Sequence, residues 1–408
     1  MDETHYKPLI DSINAQKDLM IQHVTEWCAI NSGTGNLEGL AQIYDKLYHA
    51  FEPLGDSIEP IAFNAMNMIN MRGENQQQTV GNALLIKKRP ELSRRIILTG
   101  HMDTVFAPTH PFQKLTWLDD NTINGPGVAD MKGGLAVMLQ ALTAFEQSPW
   151  ADRLGWDVII NADEEIGSPA SGGFFEAIAQ DYQAGLVYEP AMTADGVLAK
   201  NRNGSGKLTL IAQGKAAHAG RAFYEGRNAI CYLADAITRI HALNGKREGV
   251  TLNIGLISGG EALNIVPDKA VAKIDMRIAT PEDEFWVRQA LERIQTAMYH
   301  PDYQLNIEGH FGRPVKRVNQ ATEKLFQRIQ ALGKSLGLVI QWKDSGGCCD
   351  GNNLARHGLP VIDTLGVRGG NIHSSEEFIL LDSLTERATL SAMLLCDLAK
   401  GGLEELHK

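Results

Sequence analysis

Between Arg95 and Gly134 the sequence sets an imidazole and two carboxylates at the places where open α/β sheets put their chemistry. His101 and Asp103 stand two residues apart after a short apolar run, Ile96–Leu98, that reads as a buried strand. Asp130 follows in a glycine-bounded turn, GPGVADMKGG, just ahead of the helical pattern LAVMLQALTAF. Asp163, Glu164 and Glu165 close the strand through Val158–Ile160 in DEEIGS, Glu189 ends the next strand in VYEP, and His373 lies in GGNIHSSEEF after the strand LPVIDTL. Each position follows a segment assigned to a sheet, so all can converge on one sheet edge. A hydrolytic two-metal site needs a bridging carboxylate, terminal imidazole and carboxylate ligands, and a free base to deprotonate water. These residues supply that set. Nitrogen and oxygen donors without thiolate suit Zn²⁺, with Co²⁺ or Mn²⁺ as alternatives. Asp103 is placed to hold the second ring nitrogen of His101, and one of the paired glutamates can bind metal while the other stays a base. A single strand-end His or Asp is more often a turn or cap residue, and an acidic pair is usually a solvated face. Five such positions in glycine-rich contexts make that account much weaker, although spacing alone does not name a reaction.

The elements that must carry these groups alternate between helix and strand. Helical periodicity covers residues 6–31 and 37–53, the second capped by Asn36. Strands are expected at Asn82–Lys88, Ile96–Leu98, Trp156–Asn161 and in GLVYEP, with helices over about Gly133–Gln147 and Gly172–Asp181. This is the pattern of a mixed sheet flanked by helices on both faces. Near Asn201 the texture changes: KLTLIAQGKA, GVTLNIGLISG, KAVAKIDMRI and YQLNIEGHF alternate as strands, separated by helices Asn228–Ala242 and Glu282–Met298. A β-α-β-β-α-β order predicts a ferredoxin-like α+β unit. The α/β pattern resumes with helix Gln320–Leu336, strand GLVIQW, helix Asn353–His357, strand LPVIDTL and helix Leu384–Ala399. The expected division is one α/β domain, residues 1–200 and 312–408, interrupted by an inserted α+β domain at 201–311.

Composition narrows the class. The 408 residues are 44% hydrophobic and 21% charged, which is ordinary for a globular chain. A net charge of −11 argues against a nucleic-acid surface, and no apolar run is long enough for a transmembrane helix, so neither partner is expected. The first eighteen residues lack a basic start and apolar core, so no secretory signal is expected. Cys28, Cys231, Cys348, Cys349 and Cys396 form an odd, scattered set without a CxxC, which favours reduced thiols in a cytoplasm. There is no GxSxG elbow, and GPGVAD has Asp130 where the last glycine of a dinucleotide loop would stand.

Taken together and in order, GHMDTVFAP, GPGVADMKGG, DEEIGS, YEP, KAAHAG, NIVPD and IHSSEEF resemble the di-zinc exopeptidases and amidohydrolases. That family includes glutamate carboxypeptidase, acetylornithine deacetylase, succinyl-diaminopimelate desuccinylase and aminoacylases. The resemblance runs from about Ile96 to the C-terminus. It implies that His101, Asp130 and Glu189 hold one zinc, that Glu165, His373 and Asp130 hold the other with Asp130 bridging, that Asp103 orients His101, and that Glu164 is the general base. Glu at position 189 looks like carboxypeptidases and deacylases, where aminopeptidases and dipeptidases have Asp. The inserted domain would be the lid and dimerisation domain of a homodimer. His218 resembles the histidine that reaches the partner subunit's site to stabilise the oxyanion. Asn264, Arg277 and Arg313 match substrate-contacting positions, a guanidinium fork suiting a free carboxylate. Cys348 and Cys349 stand where relatives commonly have Gly or Ser/Thr, which is expected to alter pocket packing. The implied activity is cleavage of an amide bond, in a small peptide or N-acyl amino acid, next to a free carboxylate. An N-acyl-amino-acid deacylase of the acetylornithine type is the enzymatic rival, and a non-catalytic dimeric relative would be expected to lack the base or a ligand.

Overall fold

The computed structural model describes residues 6–408; the first five residues of the stretch read against a secretory signal lie outside the described residues. At its centre is a six-stranded mixed sheet in the order Ser57–Ile61, Ala83–Lys88, Gly155–Asn161, Arg95–His101, Ala184–Val187, Val361–Ile362. The last four strands run parallel to one another, and the first two are antiparallel to their neighbours. Gly155–Asn161 and Ala184–Val187 are buried throughout, and Arg95–His101 from its second residue on. That explains their continuous apolar runs: both faces of a parallel sheet are covered. Alternate residues confirm it. Leu84, Ile86, Leu98, Val158, Ile160 and Leu186 join a core with the helices Lys17–Cys28, Leu37–Phe51, Gly134–Glu146, Gln320–Ser335 and Asp382–Asp397. Leu85, Ile97, Ile159 and Val187 join another beneath the short helices Gly172–Ile178 and Asp350–Ala355. The parallel strands end together, so His101, Asn161 and the Tyr188–Glu189 pair share one edge.

The insertion is a second sheet in the order Thr251–Gly259, Lys269–Ile278, Gly204–Gln213, Gln304–Arg313, every neighbour antiparallel. Numbered by sequence this is 2-3-1-4, the ferredoxin-like arrangement expected from the element order. Helices Ala229–His241 and Pro281–Ala297 cover one face over a core that includes Leu210, Leu233, Ala272, Ile274 and Val287. Asn228 caps the first helix by accepting from the Cys231 N–H, and Thr280 with Asp283 forms a capping box on the second. Where the chain leaves and rejoins the central domain, Arg202 and Lys316 exchange backbone hydrogen bonds of 3.0 and 3.1 Å. Their side chains meet on one buried carboxylate, Asp363, at 2.8 and 2.6 Å.

Several local expectations change. The N-terminal helix is two helices, Lys7–Ala15 and Lys17–Cys28, broken at Gln16. The strand expected over GLVIQW begins only at Trp342 and runs to Ser345, pairing parallel with an unanticipated strand, Leu198–Arg202. Ile340 is core, but the ladder bonds belong to the polar residues after it. Also unanticipated are the edge strand Ser57–Ile61, a hairpin of Met66–Ile69 with Asn75–Gln78, and a small sheet in which Phe378–Leu380 pairs with Thr122–Asn124. No helix among the described residues is long and apolar enough to cross a membrane.

Two glycines let the site's backbone close up. A Cβ on Gly134 would stand 2.0 Å from the Tyr188 carbonyl oxygen, and one on Gly366 would stand 2.3 Å from the same atom. The helix after Asp130 thus packs directly on the strand end that carries Glu189. Gly134→Ala should therefore destabilise the fold by about 2 kcal/mol or more, as overpacking does, seen as a lower urea midpoint. An unchanged midpoint would show that this contact is loose.

Candidate metal centre

His101 is the last residue of its strand and is only 1% exposed. Its Nδ1 edge lies 3.0 Å from the Asp103 carbonyl oxygen and 3.4 Å from Asp103 Oδ1. This fixes the ring and leaves Nε2 pointing at Asp130 Oδ1, 3.1 Å away, and Glu189 Oε1, 3.8 Å away. Asp103 is itself fully buried. Its Oδ2 accepts from the Thr34 hydroxyl at 2.7 Å, and its two oxygens accept from the backbone N–H groups of Glu164 and Glu165 at 3.2 Å each. One carboxylate thereby orients the histidine and anchors the acidic pair.

Asp130 sits where Val128–Gly133 leads into the helix Gly134–Glu146, with a non-helical backbone at φ −113°, ψ 90°. Its two oxygens face different imidazoles. Oδ1 looks to His101, and Oδ2 lies 3.2 Å from His373 Nε2. The same His373 nitrogen is 3.1 Å from Glu165 Oε2. His373 occupies a loop with φ +62° and keeps about half its side chain in solvent. Ligand atoms of His101, Asp130 and Glu165 lie within 4.8 Å of one another, and so do those of His101, Glu164 and Glu189. Glu165 Oε1 is buried without a hydrogen-bond partner. An orphaned carboxylate oxygen beside two imidazoles is what a cation site presents before the cation is counted.

Glu164 has a different partner. Its Oε1 takes a 2.5 Å ion pair from Arg313, the last residue of the strand Gln304–Arg313. Arg313 is 2% exposed and also donates to Asp350 Oδ1 at 2.9 Å, Ser168 Oγ at 2.9 Å and Asn353 Oδ1 at 3.3 Å. Its fork is spent on the protein's own groups, in contrast to the open fork expected for a ligand carboxylate. Arg277 is half-buried, pairs with Asp275 at 2.8 Å and donates to Cys348 Sγ at 3.4 Å. Lys207 reaches from the inserted sheet to the Ile166 carbonyl at 2.5 Å. His218 lies apart, exposed on Ala217–His218, which pairs with Ile265–Val266; the Asn264 carbonyl accepts from the Ala219 N–H beside it. No hydrogen bond or ion pair among the described residues joins His218 or Asn264 to the cluster.

Sequence spacing missed three contributors. Thr34 holds Asp103, and Asp350 lies behind Arg313. Glu377 accepts from backbone N–H groups around Asp130. Thr34 has no motif, Glu377 lies inside IHSSEEF with no role read from it, and Asp350 closes GGCCD.

Crowding shows in the titrations. Burial, then the Asp130 charge, pushes Glu165 up to about 8. Burial raises Glu164 well above the usual carboxylate range, opposed by the Arg313 charge, and raises Glu189 too. Burial resists ionisation of Asp130, yet hydrogen bonds from His101 and His373 pull it below the ordinary range. Burial also resists a charge on His101, but Asp103, Asp130 and Glu189 outweigh it. His373 is pushed up to about 11 by Asp130 and then Glu165.

Comparison with known proteins adds a family. The description of peptidase family M20/M25/M40 matches residues 97–397. Carboxypeptidase G2 of Pseudomonas sp. strain RS-16 is 27% identical over 395 residues, spanning 96% of this chain and 92% of that protein. A putative succinyl-diaminopimelate desuccinylase of Mycobacterium tuberculosis is 26% identical over 292 residues, 69% of this chain and 77% of that one. Among solved structures, a tripeptidase of Staphylococcus aureus superposes with a TM-score of 0.69 at 22% identity, covering 94% of this chain and 99% of that one. That likeness concerns the fold.

The raised histidines predict how the cluster takes a cation. Without metal the His373 ring is protonated at neutral pH, since its pKa of about 11 lies above the medium. A divalent ion needs the unprotonated ring, so binding must release protons, and affinity must fall as pH falls. Titration calorimetry in buffers of different ionisation heat should give about one proton or more released per cluster filled. Heats independent of the buffer would remove His373 from the ligand set.

Proposed function

Because the chain belongs to peptidase family M20/M25/M40, we propose that it is a di-zinc hydrolase that cleaves an amide bond next to a free carboxylate, in the manner of a glutamate carboxypeptidase. The observation that carries this is the two-faced Asp130, with one oxygen on His101 and the other on His373. His101, Asp130 and Glu189 would hold one ion, and Glu165, His373 and Asp130 the other. The donor set is all nitrogen and oxygen, includes the orphaned Glu165 Oε1, and fits Zn²⁺, with Co²⁺ or Mn²⁺ as alternatives. When bound, the two ions polarise the scissile carbonyl and bring the pKa of the attacking water toward neutrality.

The residues do the rest. Asp103 keeps the His101 ring turned so that Nε2 faces the cluster. Glu164 takes the proton from water as its oxygen adds to the carbonyl carbon, then delivers that proton to the nitrogen as the C–N bond breaks. Arg313, at 2.5 Å, holds this carboxylate in place and counters the burial that would keep it protonated. Arg277, the less buried of the two arginines, would meet a substrate carboxylate. Its present partner Asp275 would have to share it.

The naming of the 27%-identical relative supports a carboxypeptidase, and that of the 26%-identical relative supports an N-acyl-amino-acid deacylase as the second reading. The protein is proposed to act in the cytoplasm, which suits five free cysteines. It is further proposed to be a homodimer through the inserted domain, 201–311, acting as a lid. Leu256, Ile257, Leu263 and Ile265 are exposed there, an apolar surface that suits a second copy. His218 and Asn264 on the same segment would then serve the partner subunit's site.

Activity on acyl-Glu, acyl-Ala, acetylornithine and dipeptides should appear with zinc, vanish on chelation and fall by about 10²–10⁴-fold in Glu164→Ala. The best substrate decides between peptide and acyl chemistry. A Glu164→Ala enzyme as active as wild type would sink the mechanism. Mixing inactive Glu164→Ala with inactive His218→Ala should restore activity through hybrid dimers. A mixture no more active than its parts would show that His218 does not work across subunits.

A further inference from the structure

Glu377 is a buried acid beside Asp130 that neither set of proposed ligands uses, and it is 1% exposed. Its carboxylate is occupied by backbone alone: Oε1 accepts from the N–H groups of Ala129 and Asp130 at 2.9 and 3.0 Å, and Oε2 from Gly127 at 3.2 Å. Its carbonyl oxygen accepts from the Asn124 amide at 2.7 Å and the Gly125 N–H at 3.2 Å. One residue thus fastens the whole turn from Asn124 to Asp130. Four residues earlier in its own segment stands His373, and directly after it Phe378–Leu380 pairs with Thr122–Asn124. The turn that carries Asp130 and the loop that carries His373 are therefore tied at one carboxyl group.

The chemistry of the partners calls for an acid. All three bonds to the side chain come from N–H donors, and a carboxylate accepts on both oxygens. A glutamine must turn an NH₂ toward one of those donors. The N–H groups are buried, so losing their acceptor leaves them unsatisfied at about 1–3 kcal/mol each. An acid here also sits against the negative Asp130, which makes the position unfavourable unless geometry requires it.

We propose that Glu377 is a positioning residue that sets Asp130 and His373 relative to one another and thereby controls the affinity of the metal they share with Glu165. This rests on the proposed ligand sets. Outer groups that orient ligands typically change metal affinity by about 10–100-fold when removed. The ion assigned to His101, Asp130 and Glu189 should feel the change less, since Glu377 ties only one of its three ligands, against two of the other's, and Asp103 orients His101 independently.

The test is a zinc titration of metal-stripped, full-length protein against a competing chelator, with Co²⁺ absorption as the spectroscopic readout. Wild type should take two ions. Glu377→Gln should weaken one of them by about 10–100-fold and shift its Co²⁺ bands, with the other ion within about threefold and the metal-free circular dichroism unchanged. Glu377→Ala should do the same more strongly; should it fail to fold, the isosteric glutamine decides. Both ions bound with wild-type affinity, or both weakened equally, would overturn the proposal. A wild type that takes fewer than two ions would instead bring down the ligand assignment on which it rests.

Discussion

Like charges crowded away from water are the condition that this structure has to meet. Asp103, Asp130, Glu189 and Glu377 are nearly inaccessible, and the side chains of Glu164 and Glu165 are close behind. Desolvation alone would protonate most of them, and mutual repulsion would push their titrations apart. Four of the six are held by different devices. Asp103 collects N–H and hydroxyl donors, Asp130 faces two imidazoles, Glu164 faces a buried guanidinium, and Glu377 receives backbone N–H groups. Glu165 is left with a buried oxygen that nothing among the described residues satisfies. The cluster is short of positive charge, and the fold around it serves to keep that shortage local.

The second consequence is that the inserted sheet is no mere cover. Arg313 lies at the end of its last strand and reaches Glu164, Lys207 reaches the carbonyl of Ile166, and Arg277 meets Cys348. Two cations of the inserted sheet thus reach the acidic loop of the central domain, and a third reaches the turn at Cys348. Arg202, at the start of the insertion, adds a further positive field that lowers Glu189 against its burial. Charged and polar side chains thus couple the two sheets.

What could be read from residue order follows from this. His101, Asp130, Glu165, Glu189 and His373 were legible because strand ends and helix starts converge in a parallel sheet, so chemically distinctive residues at those places had to meet. The β-α-β-β-α-β order was legible because alternation and helix caps survive in sequence. Glu377 and Thr34 were not, because a side chain that serves backbone or another carboxylate has no spacing rule. Arg313 matched a substrate-contacting position by resemblance alone, and no spacing announced its partners Asp350 and Glu164. Phe378–Leu380 and Thr116–Trp117 are too short to show period two, and Met66–Ile69 with Asn75–Gln78 lacks a buried face. At Gln16 no glycine or proline marks the break. The strand near Trp342 was displaced because the apolar stretch before it is buried without joining a ladder.

The meeting of Arg202, Lys316 and Asp363 bears on how such a chain is assembled. Residues paired by two backbone hydrogen bonds stand about 5.5 Å apart, so the insertion departs and returns through what is, to the central sheet, a single point. The gap between its two ends is one that a short turn could bridge, while Arg313 and Lys207 tie the insertion to the acidic loop beneath it. The seam is therefore a natural place for modular exchange. The ionic knot at Asp363 keeps the inserted sheet registered over the acidic loop that Arg313 and Lys207 reach.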